Sequence, residues 1–129
     1  MIPKDLSADN ISKIYKKIRP FIIQTPFLKC PDDIDNYFST KLFFKCEFLQ
    51  KSGSFKARGA INNIISQDQN KFNKGITAVS AGNHAIAASF VANQFKLKNK
   101  IFLYESANIY RDQTCKNYGI FEEPTRSRT

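Results

Sequence analysis

Lys45-Cys-Glu-Phe-Leu-Gln-Lys-Ser-Gly-Ser-Phe-Lys-Ala-Arg-Gly-Ala60 joins two elements of the chain. Upstream, Lys41 to Leu49 is rich in Phe and Leu and reads as a strand. Gln50 to Ser54 is small and polar and reads as a loop. From Phe55 to about Ser66, Ala57, Ala60, Ile61, Ile64 and Ile65 recur at helical spacing. Lys56 therefore stands in the first turn of a helix entered from a strand. A lysine there is ordinarily a solvated surface charge. At the positive end of a helix dipole in a dry cleft, however, a lysine amine becomes a nucleophile able to hold a carbonyl.

Outward from this stretch, helices and strands alternate. Ser7 is a plausible N-cap for a helix carrying Ile11, Ile14, Tyr15 and Ile18, which Pro20 ends. Gln24 to Leu28 is extended. Pro31 opens a helix with Asp32, Asp33 and Asp35 near its positive end and Ile34, Tyr37 and Phe38 as its apolar face. Gln67 to Lys74 is a polar loop. Gly75 to Ser80 and Lys100 to Tyr104 read as strands, Asn83 to Phe95 and Asn108 to Tyr118 as helices, with Gly119 as a left-handed stop. This order predicts an α/β fold, a three-layer parallel sheet with flanking helices and right-handed crossovers.

Ligands of such sheets gather where strands end and helices begin. Lys56 occupies one such place, and Ser80-Ala81-Gly82-Asn83-His84 occupies another. Gly82 lets a ligand approach the backbone, and the helix behind it offers N–H groups to an anion. Carboxylate or phosphate near residues 80–84, facing a lysine amine, is the chemistry expected. Taken singly, Asn83 is an N-cap and His84 a helix-start residue; Arg58 is expected to pair with Glu47.

The lysine stretch resembles the motif K-x-E-x-x-Q-x-(S/T)-G-S-F-K-x-R-G-A of the fold-type-II pyridoxal-phosphate enzymes, in particular their serine/threonine dehydratase and serine racemase group. Every fixed position is present from Lys45 to Ala60. Ser80 to His84 is similar to that family's S-(S/A)-G-N-H loop, Thr25-Pro26-Phe27-Leu28 to its T-P-L segment and Tyr118-Gly119 to its Y-G-A-E-V. The likeness covers roughly residues 11–120 and stops at the tail 121–129. It implies pyridoxal 5'-phosphate as cofactor. It further implies that Lys56 bonds to the cofactor aldehyde and serves as the base, with Phe55 and Asn83 beside the cofactor. Ser80, Ala81, Gly82, Asn83 and His84 would bind the substrate carboxylate. The implied reaction is ammonia release from L-serine or L-threonine to give a 2-oxo acid. Racemase-like members carry serine where Ala81 stands, so alanine favours dehydratase; Lys51 and Ser52 lie where such members contact a nucleotide effector. The five glycines do not cluster, whereas the family's phosphate cradle is a glycine run. The chain is thus expected to be a partial, truncated fold-type-II enzyme: 1–120 as N-terminal segment plus part of the small domain, 121–129 as a non-matching tail. Alone it is expected to turn over substrate negligibly. The alternatives are a racemase-like fragment, or a non-catalytic remnant that forms homo-oligomers or pairs with a full-length paralogue.

Composition agrees with a globular chain: 129 residues, 42% hydrophobic and 24% charged. The formal charge of +9 is scattered and lacks the aromatic interleaving of a single-strand binder, so no nucleic-acid partner is expected. No membrane partner is expected either, since no apolar run is long enough to cross a bilayer. Cys30, Cys46 and Cys115 fit no zinc spacing and are expected as reduced thiols, with no metal. Without an apolar leader, cytoplasm is the expected compartment.

Overall fold

The computed structural model describes residues 6–80, 82–103 and 108–119. Along it run α1 (Ala8–Ile18), β1 (Phe27–Lys29), α2 (Asp32–Tyr37), β2 (Phe43–Lys45), α3 (Lys56–Ile65), β3 (Ile76–Val79), α4 (Asn83–Gln94), β4 (Asn99–Phe102) and α5 (Ile109–Asn117). Tyr104, at the end of the last expected strand, and the tail lie outside the described residues.

The helices start and stop as their residues dictate. Ser7 Oγ accepts from Asn10 N at 3.2 Å and caps α1. Pro20 falls in the tight turn Arg19–Phe21 that closes it. Gly119 follows α5 at φ +80°, a left-handed conformation suited to glycine. Helix α4 is buried from Ala85 through Ala92, apolar on all sides, and so is central. On one side Phe90 and Val91 pack with Ile18, Ala57, Ile61 and Ile64 from α1 and α3. On the other, Ala85, Ile86 and Ala88 meet Ile101 of β4 and Cys115 of α5. Burial raises the Cys115 thiol above its usual range, and all three cysteines are free and buried.

The α/β reading holds, with a finer division of the strands. Parallel pairing joins β3 to β4, in register from Ile76↔Asn99 to Val79↔Phe102. The strand expected over Lys41–Leu49 is shorter and pairs antiparallel with β1, Phe27↔Lys45 to Lys29↔Phe43. The short connection through α2 turns the chain back on itself, which an antiparallel ribbon permits and a parallel pair does not. Cys46 then bends at φ −77°, ψ 62° into the turn Glu47–Leu49. The apolar face expected on α2 is not buried: Tyr37 is 82% exposed, and its ring meets that of Phe38 edge-on at 5.0 Å. Six residues are too short to span the core, and α2 is tied to the ribbon instead, with Asp35 Oδ1 accepting from Leu42 N at 2.8 Å.

Gly75 shows how closely β3 meets the turn before β4. It has φ +89°, and a Cβ there would stand 2.3 Å from the carbonyl oxygen of Lys98. That oxygen accepts from Ile76 N at 2.9 Å and begins the ladder. Gly75→Ala is expected to cost about 2 kcal/mol through strain and clash combined. Urea unfolding would check it by a lowered midpoint at unchanged slope.

Candidate functional site at two helix starts

Lys56 is the first residue of α3. Buried Ser54 and Ala57 flank it in sequence, whereas Phe55 and Lys56 are exposed. Its Nζ lies 5.1 Å from the centroid of the Phe55 ring. No side chain caps this helix. The loop before it is fixed by Gln50, which is buried and pairs with one backbone unit like a strand: Ile23 N donates to Oε1 at 2.8 Å and Nε2 donates to Ile23 O at 2.9 Å.

The expected pair of Arg58 with Glu47 is present and bidentate. Arg58 Nε donates to Oε2 at 2.9 Å and Nη2 to Oε1 at 2.7 Å. Thr25 Oγ1 adds a third donor at 2.5 Å. Lys45 Nζ donates to the Thr25 carbonyl at 2.5 Å and stands 4.0 Å from Glu47. The guanidinium, aided by the Thr25 hydroxyl and the nearby Lys45 charge and opposed by burial, draws the Glu47 carboxyl down to about 2. The same partnership raises Arg58 further above its ordinary range.

At the second helix start, Ser80 N donates to Phe102 O at 3.1 Å, extending the β3–β4 ladder by one bond. Ser80 Oγ then accepts from Gly82 N at 3.1 Å. Gly82 is the N-cap of α4, and among the described residues no side chain caps its first-turn N–H groups. Asn83 is thus the first helical residue rather than the cap, and both Asn83 and His84 are exposed. Ala81 lies outside the described residues.

Two clefts meet these starts. Lys56 and His84 line the larger, about 390 Å³, together with Gly59, Ala60, Asn63 and Thr77. Asn83 lines a separate cleft of about 270 Å³ with Lys51, Ser52, Gly53, Tyr110 and Tyr118. Successive helical residues point about 100° apart, so Asn83 and His84 diverge and serve different clefts. The amine therefore shares its cleft with His84, not Asn83. The Tyr118 hydroxyl donates to Lys51 O at 3.1 Å and ties the end of α5 to the lysine loop. Sequence reading missed Ser54, whose Oγ is buried with no partner among the described residues. Its one signal was its place beside Phe55 in the fixed motif.

Lys56 at the start of α3 and His84 in the first turn of α4 thus open on one cleft of an α/β fold, and Asn83 opens on the next. Residues 18–122 match the family described as pyridoxal-phosphate dependent enzyme, and the chain belongs to that family. It is 42% identical over 121 residues to a serine racemase of Arabidopsis thaliana, covering 92% of this chain and 36% of the relative. It is 32% identical over 123 residues to an L-threonine ammonia-lyase of Geobacter sulfurreducens, covering 92% and 28%. Maize serine racemase superposes with a TM-score of 0.80 at 35% identity, over 88% of this chain and 34% of that one. The chain thus spans about a third of the length of the proteins it matches.

Pyridoxal phosphate is the cofactor of this family. The residues in hand fit its aldehyde end: an exposed amine in a cleft, flanked across that cleft by the start of α4, whose first-turn N–H groups have no side-chain cap among the described residues.

Proposed function

We propose that this chain is the amine-bearing portion of a pyridoxal-phosphate-dependent ammonia-lyase acting on L-serine or L-threonine. The observation that carries the reading is the cleft shared by Lys56, at the start of α3, and His84, in the first turn of α4 behind strand β3. When bound, the cofactor supplies an electron sink for charge developing at the substrate Cα. Lys56 Nζ would hold the cofactor aldehyde covalently and, once displaced by the substrate amine, accept the Cα proton. Phe55 would pack beside the ring; the Asn83 amide opens on the neighbouring cleft and so takes no part in holding the ring beside Lys56. The hydroxyl of Ser80 and the first-turn N–H groups at Asn83 and His84 would grip the substrate carboxylate, with Gly82 leaving room for its approach. Ala81 would line the same turn without moving a proton, since its methyl cannot carry one. A racemase needs an acid on the face opposite Lys56, so the alanine supports dehydration. The identity to serine racemases supports racemisation as the second reading.

The test is condensation with the cofactor. Pyridoxal phosphate added to the chain is expected to give the visible absorption of a lysine adduct. Borohydride should then fix the label chiefly on the peptide carrying Lys56. Labelling spread evenly over the fifteen lysines of the chain would sink the reading.

A further inference from the structure

Helix α3 presents three faces with three tasks. Ala57, Ile61 and Ile64 enter the core. Lys56, Gly59, Ala60 and Asn63 follow one another at helical spacing along the larger cleft, and Gly59 and Ala60 leave room beside the amine. Arg58 stands two residues after Lys56, about 200° around the helix, and so points nearly opposite to it. There it is held by the fork to Glu47, which Thr25 braces from the preceding segment. A helix start without a side-chain cap frays easily. Ala57 holds this first turn to the core on one side, and the tie through Arg58 holds it on another.

We propose that the Glu47–Arg58 pair, braced by Thr25, is a positioning device for Lys56. Fixing Arg58 on one side of the first turn sets the rotation that sends Nζ into the cleft on the other. The inference rests on Lys56 being the cofactor-binding amine, as proposed above. Glu47 and Arg58 line neither of the two clefts; they act through the helix.

Reductive labelling of the full chain with pyridoxal phosphate and borohydride tests it. The readout is the share of label on Lys56 relative to the other lysines. Glu47→Gln and Arg58→Gln are each expected to lower that share about fivefold, the factor that corresponds to losing ~1 kcal/mol of ordering. Arg58→Lys, which keeps the charge but loses the fork, should restore part of it. Thr25→Val removes one of three bonds to Glu47, keeps the fold and should give a smaller loss. Cys115→Ala, in the core cluster on the other side of α4, is the stability control and should leave the share unchanged. The proposal is overturned if Thr25→Val and the Arg58 variants, shown folded by circular dichroism, label Lys56 as the parent chain does. It is equally overturned if Cys115→Ala lowers the share as much. A parent chain with no preference for Lys56 overturns the functional reading itself, and this inference with it.

Discussion

Lys56→Ala is expected to abolish the visible absorption that pyridoxal phosphate gains with this chain, leaving only the weak signal of scattered surface amines. The expected loss at this position is nearly complete, because no other lysine among the described residues combines its surroundings. Lys56 begins a helix, lines a cleft of about 390 Å³ and lies beside an aromatic ring. The substitution should leave stability almost unchanged. The side chain is exposed and alanine favours the helix. Chemistry and folding are thus separable at this position. Difference absorbance before and after cofactor addition, paired with thermal unfolding, checks both halves. An undiminished band in Lys56→Ala would assign the amine elsewhere. His84→Ala leaves the amine in place and should retain the band, since the imidazole shares the cleft without forming the bond.

The sequence revealed the places where backbone chemistry is local. Ser7, Pro20 and Gly119 mark boundaries through caps, a missing donor and a left-handed turn, and each acts as its residue type dictates. The asparagine motif was legible for the same reason, since strand β3, a short loop and the start of α4 are set within a few residues; at the lysine motif the helix start was legible, but the strand before it ends at Lys45 and a turn intervenes. What could not be read depends on partners distant in sequence. Phe43 and Phe44 suit any strand, and nothing in them announces antiparallel pairing with Phe27 and Leu28. Tyr37 and Phe38 fall at helical spacing, yet a single turn and a half has nothing to pack on among the described residues. The divergence of Asn83 from Lys56 is a matter of helical phase, and a one-residue difference in the start of α4 decides which cleft a side chain enters. Ser54 was invisible because burial, unlike spacing, is a property of the assembled loop.

Acid should weaken this fold through Glu47 in particular. Its carboxyl falls from an ordinary 4.5 to about 2, chiefly through the Arg58 hydrogen bonds. Because the folded value lies below the unfolded one, the contribution is complete above pH 4.5 and fades as pH drops toward 2. A shift of this size corresponds to about 3 kcal/mol at neutral pH, and the Glu47 side chain is only 17% exposed, so solvent screens it little. The carboxyl of Asp32 is also lowered, by Lys29, but it sits in open solvent and adds little. Glu47→Gln is therefore expected to unfold more easily by about 3 kcal/mol at pH 7. Parent and variant should converge as the pH approaches 2, where the parent carboxylate is itself being protonated. Denaturant curves from pH 7 downward would show a steep decline in the parent and a shallow one in the variant. Parallel curves would mean that the ion pair does not carry the acid sensitivity. The same carboxylate then governs two measurable properties: the stability of the chain in acid, and the direction in which α3 sends the amine of Lys56.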